Sequence, residues 1–234
     1  VEDCPVCKDL GWLRQDLPVG HPQFGIWVHC GACGRMNMHL VALYDATSSR
    51  PGRASRQYFH NFCLDGDAAS ARAAYNAAVA FAAEPRGWLV IHGPKGNGKS
   101  HLAAAITNHL IERCNVPTLF ATAPEFLNTL RREIEDAVQK GVHPSSTLMD
   151  VARRVPVLIL DDLGAERRTP WAMEQIYLLL DHRYRHESAT VVITNEELES
   201  LPARIYSRLG DRALCKVVHN PANDYRWGHG RITP

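Results

Sequence analysis

Gly93-Pro94-Lys95-Gly96-Asn97-Gly98-Lys99-Ser100 stands between the apolar run Trp88-Leu89-Val90-Ile91-His92 and a segment of helical periodicity. The octapeptide fits G-x-x-x-x-G-K-[ST], and a strand before it with a helix after it is the setting this phosphate-binding loop requires. The glycines let successive backbone N–H groups converge on phosphate oxygens, and the helix N-terminus adds positive potential. Lys99 is placed to reach the β and γ phosphates of ATP, and the Ser100 hydroxyl to ligate Mg²⁺. The nucleotide-binding stretch is read as Gly93 through His101. The alternative is a glycine-rich turn with an exposed lysine, and a second motif downstream argues against it.

That motif is Val157-Leu158-Ile159-Leu160-Asp161-Asp162, an apolar strand ending in two acids. Asp161 is expected to hold the Mg²⁺ through water, and Asp162 to orient or deprotonate the attacking water. Two ordinary strand-end carboxylates facing solvent are the other reading. A further apolar run, Thr190 to Thr194, leads into Asn195, whose amide at the tip of the strand beside the phosphate-loop strand suits contact with the attacking water or the γ-phosphate. Asn195 is equally a good cap for a helix starting near Glu196.

Working outward, apolar runs at Trp88–His92, Thr118–Ala121, Val157–Leu160, Thr190–Thr194 and Leu214–Val218 alternate with helical patterns. One such pattern is the i, i+4 stripe Phe126, Leu130, Ile134 and Val138. Strands alternating with helices predict an α/β doubly wound parallel sheet covered on both faces. An alanine-rich helix from about Asp67, as N-cap, to Ala83 precedes the first run. In Arg204-Ile205-Tyr206-Ser207-Arg208-Leu209 two arginines four apart share one helix face, so Arg208 is a candidate for acting in trans on a neighbouring subunit's γ-phosphate. Both arginines are otherwise solvated surface groups. Arg226 is a second candidate for sensing nucleotide, within a stretch from Leu201 to Pro234 that has six Lys or Arg against two Asp.

The stretches GPKGNGKSHLAAAITN (Gly93 to Asn108), VLILDDLGAERRTPWAMEQIYLLLDHRYR (Val157 to Arg185), VVITN, RIYSRL and DYR together resemble the bacterial helicase loaders of the DnaC and DnaI type and the IstB-type transposition helper ATPases, within the AAA+ class. The resemblance implies an ATPase, slow and regulatory, that assembles on single-stranded DNA and helps place a replicative helicase. It also implies that residues 124 to about 154 form an extra helical insertion meeting single-stranded DNA, with Arg131, Arg132 and Lys140 directed at phosphates. Glu133, Glu135 and Asp136 lie among them, which leaves a solvated amphipathic helix as the alternative. Two departures stand out: Asp162 replaces the Glu that many AAA+ enzymes use, and the sequence after Arg208 is too short for the usual helical lid, as in lidless loaders.

Ahead of the ATPase, Cys4-Pro5-Val6-Cys7 and Cys30-Gly31-Ala32-Cys33 give C-x2-C-x22-C-x2-C. Paired spacing of this kind supplies four thiolates to a closed structural Zn²⁺ site. The expected organisation is a zinc module over residues 1–44, a linker over 45–57 and the ATPase domain over 58–234. Docking on a helicase and touching nucleic acid both remain open for the module. His21 and His29 are read as surface residues, and Cys63, Cys114 and Cys215 as small buried hydrophobes. With 45% hydrophobic and 22% charged residues, and no apolar run of membrane-spanning length, a cytoplasmic protein without a membrane partner is expected. The net charge of +1 excludes a whole-protein basic field for nucleic acid and leaves only local patches. Val1 in place of Met leaves open that residues precede it. A transposition or phage accessory ATPase and a non-hydrolysing zinc adaptor are the competing functions.

Overall fold

The computed structural model describes residues 4–6, 12–14, 27–30, 54–64, 70–114, 116–141 and 148–224. The chain divides into two compact units, Val1–Ser49 and Arg50–Pro234. In the first, β1 (Trp12–Arg14) pairs antiparallel with β2 (Trp27–His29). Cys4 and Cys30, one from each cysteine pair, are buried with their sulfurs 3.8 Å apart. Cys7, Cys33 and His21 lie outside the described residues, as does the side chain of His29.

The second unit is built on five parallel strands in the order β4-β5-β6-β3-β7. They are β3 (Trp88–His92), β4 (Thr118–Thr122), β5 (Val157–Leu163), β6 (Thr190–Thr194) and β7 (Cys215–His219). β6 therefore flanks the phosphate-loop strand, as the sequence predicts. On one face, α1 (Arg72–Ala83) and α2 (Lys99–Glu112) bury Ala74, Ala78, Phe81, Leu102, Ile106 and Leu110 against Leu89, Ile91, Ile159, Val191 and Ile193. On the opposite face, Trp88 meets Tyr184 of α5 (Pro170–Arg185) edge-on, with ring centroids 6.3 Å apart. Alternation along β3 explains the division, because Leu89 and Ile91 point one way while Trp88, Val90 and His92 point the other.

Between β4 and β5 run α3 (Ala123–Lys140) and α4 (Leu148–Arg154). Thr122 caps α3 by accepting from the Glu125 N–H, Pro124 fits its first turn, and Gly141 ends it in the left-handed region at φ 62°. Phe126 and Leu130 are buried as the stripe predicts, yet Ile134 is 40% and Val138 75% exposed. A strict i, i+4 series rotates about 40° per step around a 3.6-residue helix, so its far end leaves the core. Leu127 and Ala137 take the inward positions instead.

Other local expectations also shift. α1 starts at Arg72 rather than Asp67, and its cap position, Ala71, makes no side-chain bond; Asp67 lies outside the described residues. Residues 54–57, read from sequence as linker, are held against α2, where the Asn108 amide donates to the carbonyls of Ala54 (3.1 Å) and Gln57 (2.8 Å). Of the three remaining cysteines only Cys215 is buried, its thiol pushed up to about 12 by burial; Cys63 is half-buried and Cys114 exposed, in the turn after α2.

The insertion is fastened by Arg183, a fully buried guanidinium on α5. Nη1 donates to the carbonyls of Ala152 (2.8 Å), Arg153 (3.2 Å) and Val155 (3.0 Å), Nη2 to Ala189 (2.6 Å), and Nε to the Thr190 hydroxyl (2.9 Å). Burial lowers its pKa to about 9, and it remains charged at neutral pH. The carbonyls at the C-terminal end of α4 carry the negative end of that helix, which is where a cation belongs. Arg183→Met strands these buried acceptors, each worth about 1 to 3 kcal/mol when left unpaired. Urea denaturation is expected to show at least about 3 kcal/mol of lost stability, with Arg183→Lys recovering only part.

Candidate nucleotide-binding site

Sites in open parallel sheets form beyond the carboxyl ends of the strands, and the sequence-selected residues gather there. The loop after β3 is supported from two sides. A Cβ on Gly93, at φ 136°, would collide with the Asn220 carbonyl, so the close approach of the segment after β7 requires glycine. Asn97 and Asn220 are both buried. Their side-chain amides are reciprocally bonded, Asn97 Nδ2 to Asn220 O at 2.7 Å and Asn220 Nδ2 to Asn97 O at 3.0 Å. On the other side, Phe62 packs on Gly98, and His101 Nε2 lies 3.0 Å from both Tyr58 O and Asn61 Oδ1. His101 thus fastens residues 58–61 to α2.

Lys99 is buried within the loop and donates from Nζ to Gly93 O (2.9 Å), Pro94 O (2.6 Å) and Asn97 Oδ1 (3.0 Å). Ser100 hydrogen-bonds Asp161 across from β5. Burial and then the charge of Asp162 raise Asp161 to about 6, while Ser100 and Lys99 act in the opposite direction. A buried carboxylate with too little compensation, bonded to a hydroxyl, is a donor set that suits a divalent cation with oxygen ligands.

Asp162 stands in the left-handed region at φ 54°, an uncommon place for any residue but glycine. There its N–H donates to Asp161 Oδ1 at 2.9 Å, and its Oδ1 accepts from Asn195 Nδ2 at 2.8 Å. The β5–β6 register breaks between Leu160 and Leu163, which lets the two acids leave the strand line. Asn195 caps no helix, for the next turn is the 3₁₀ segment Leu198–Ser200 behind Glu197. Thr194 holds the two strand ends together, its hydroxyl donating to Leu163 O at 2.6 Å.

Arg208, on α6 (Ala203–Leu209), is engaged with its own chain. Nε donates to Asp181 Oδ1 at 2.8 Å, Nη2 pairs with Asp181 and with the Tyr177 hydroxyl (2.9 Å), and the guanidinium lies 4.8 Å over the Tyr177 ring. Arg204, exposed on the same helix, lies 5.6 Å over that ring. Arg131 covers Trp171 at 4.9 Å, so its charge rests on α5, whereas Arg132 and Lys140 are exposed. Arg226 lies outside the described residues. Sequence reasoning missed Asn220, Asp224 and Phe62. A Cβ on Gly96 would strike the Asp224 carboxylate, so the segment after β7 crosses the loop. Only the turn-forming Asn220-Pro221 pair hints at that segment.

A five-stranded parallel sheet with the phosphate loop after the inner strand β3 and paired acids at the end of β5, across the intervening β6, defines a nucleotide-binding domain of the AAA+ class. Residues 54–220 match the family described as IstB-like ATP binding protein, and the chain belongs to that family. Bacillus subtilis YqaM, an uncharacterized protein, is 26% identical over 82% of this chain and 61% of its own length. The replicative helicase loader DnaI of Bacillus subtilis is 29% identical over 56% of this chain and 40% of its own. The chain thus spans less than two thirds of either relative. A solved structure of the replication initiator DnaA bound to AMPPCP and single-stranded DNA shares the fold, with a TM-score of 0.60 and 17% identity over 72% of this chain and 50% of that one.

Asp161 titrates near 6 in the folded chain against about 4 unfolded, so the fold binds its proton more tightly. That stabilises the nucleotide-free chain below about pH 4 relative to neutral pH, and the contribution is lost as pH rises through 6. Asp161→Asn is therefore expected to be more stable than wild type at pH 7.5 by about 2 to 3 kcal/mol in urea denaturation, with the difference vanishing near pH 4.

Proposed function

We propose that the chain is an ATP-switched assembly factor that loads a replicative helicase onto single-stranded DNA, with slow hydrolysis setting the duration of the loading-competent state. The observation that carries this reading is the joining of the Ser100–Asp161 and Asp162–Asn195 pairs at the ends of β3, β5 and β6, in a chain similar to a helicase loader. In this mechanism Lys99 leaves the loop carbonyls for the β and γ phosphates. Ser100 and Asp161 would hold Mg²⁺, which when bound would neutralise phosphate charge. Asn195 fixes the Asp162 carboxylate, and Asp162 orients the attacking water and accepts its proton. Asp162→Asn is expected to keep Mg-ATP binding and to lose at least about tenfold in turnover in a single-turnover assay. Equal hydrolysis would remove Asp162 from that role.

Arg208 is our choice for the group that acts on a neighbour's γ-phosphate, and its bonds to Asp181 and Tyr177 are the resting state it leaves on assembly. Mixing Arg208→Ala with Lys99→Ala chains then restores part of the activity that neither has alone. Arg132 and Lys140 are proposed to meet DNA phosphates. For the first unit we propose a structural zinc bound by Cys4, Cys7, Cys30 and Cys33. The 3.8 Å separation of the Cys4 and Cys30 sulfurs supports it, since two sulfurs at about 2.3 Å from one tetrahedral ion stand about 3.8 Å apart. The IstB-like family membership favours a second reading, an accessory ATPase for a transposase. Pull-down with the host's replicative helicase, with and without ATP, decides between them: ATP-dependent capture supports loading, and capture of transposase with none of helicase supports the second.

A further inference from the structure

The C-terminal ends of β3, β6 and β7 converge on a second group of side chains that the nucleotide chemistry does not use. His92 ends β3, and its register partners are Thr194 on β6 and His219 on β7. Partners in a parallel pair project to the same face, so the two imidazoles lie side by side with ring centroids 4.9 Å apart and planes tilted by 40°. From the loop after β6, Glu197 brings Oε2 to 3.8 Å from His92 Nδ1. One ligand atom from each of the three residues lies within 4.8 Å of the other two.

His92 Nδ1 is a buried nitrogen with no hydrogen-bond partner, since 3.8 Å to Glu197 is too long for a bond. A buried polar atom left unpaired costs about 1 to 3 kcal/mol, and a structure that retains one asks for an explanation. Burial, reinforced by the neighbouring His219, lowers the His92 pKa and keeps a ring lone pair available at neutral pH.

We propose that His92, Glu197 and His219 bind one divalent transition-metal ion of the Zn²⁺, Co²⁺ or Ni²⁺ class. Two imidazole nitrogens and one carboxylate oxygen form a borderline donor set that suits these ions, whereas Mg²⁺ requires oxygen. Three protein ligands leave the fourth position to water. Ligand atoms around a tetrahedral ion with bonds of about 2.0 Å stand about 3.3 Å apart, so the His92–Glu197 spacing closes by about 0.5 Å and the others by at most about 1.5 Å. The movement falls to His219 and Glu197, which are exposed, while the mostly buried His92 stays in place. The ion would tie together three segments: His92 immediately precedes Gly93, His219 immediately precedes Asn220, and Glu197 follows Asn195 by two residues.

The test is titration of the full chain with Co²⁺, following visible d–d absorption, and with Ni²⁺ by calorimetry in excess Mg²⁺. Wild type whose cysteine site has first been filled with one equivalent of Zn²⁺ is expected to take up one equivalent of Co²⁺ without the thiolate charge-transfer band that cysteine ligation would give. His219→Ala and Glu197→Gln, both exposed and neutral to folding by circular dichroism, should each weaken that uptake at least tenfold. His182→Ala, which removes one ring of the stacked His182–His186 pair, should leave it unchanged. The proposal is overturned if wild type binds no such equivalent, if both site variants bind as wild type does, or if the loss appears with His182→Ala instead.

Discussion

Two buried amides hold the phosphate loop in its shape. Asn97 and Asn220 each donate to the other's backbone carbonyl, and their remaining oxygens are also used: Asn97 Oδ1 accepts from Lys99 Nζ, and Asn220 Oδ1 from the Ala222 N–H. The Asn220 N–H completes the frame by donating to His92 O at 2.8 Å. No side-chain polar atom of the pair is left over, which is the condition under which a buried polar network stabilises a single conformation. The loop's three working parts, its glycine backbone, its lysine and the root of its strand, all refer to this frame.

Two of the unit's buried charges, Arg183 and Asp161, are handled in opposite ways. Arg183 is surrounded by carbonyls and a hydroxyl and serves the scaffold, securing the helical insertion to the sheet. Asp161 has a hydroxyl and a backbone N–H but also the like charge of Asp162 beside it, and its pKa rises accordingly. The first arrangement is complete within the chain. The second has unspent capacity for a cation, and such imbalance is typical of sites whose work is chemical.

Much of this was legible in the sequence because it is local. The loop pattern and the apolar strands follow from spacing and alternation, whereas the position of β6 beside β3 is implied by the resemblance to this class of ATPase. What escaped involves partners far apart or backbone detail. Nothing in Asn220 announces that it bonds Asn97, and Arg183 in an amphipathic helix reads as a surface residue until the carbonyls around it are seen. The left-handed turn at Asp162 arises from the register break between β5 and β6, which no single strand's sequence contains. Likewise the stripe from Phe126 to Val138 has the right residue types but rotates off the core before it ends.

The frame around the loop also orders events during synthesis. Asn97 and its partner are separated by 123 positions, and the partner lies beyond the final strand of the sheet. Contacts of such long range close late, since the intervening chain must first be ordered. A nascent chain that has emerged only through β6 therefore carries the whole phosphate-binding motif without the anchor that shapes it. Any product cut short before β7 keeps the glycine loop but lacks the buried amide that holds it in shape.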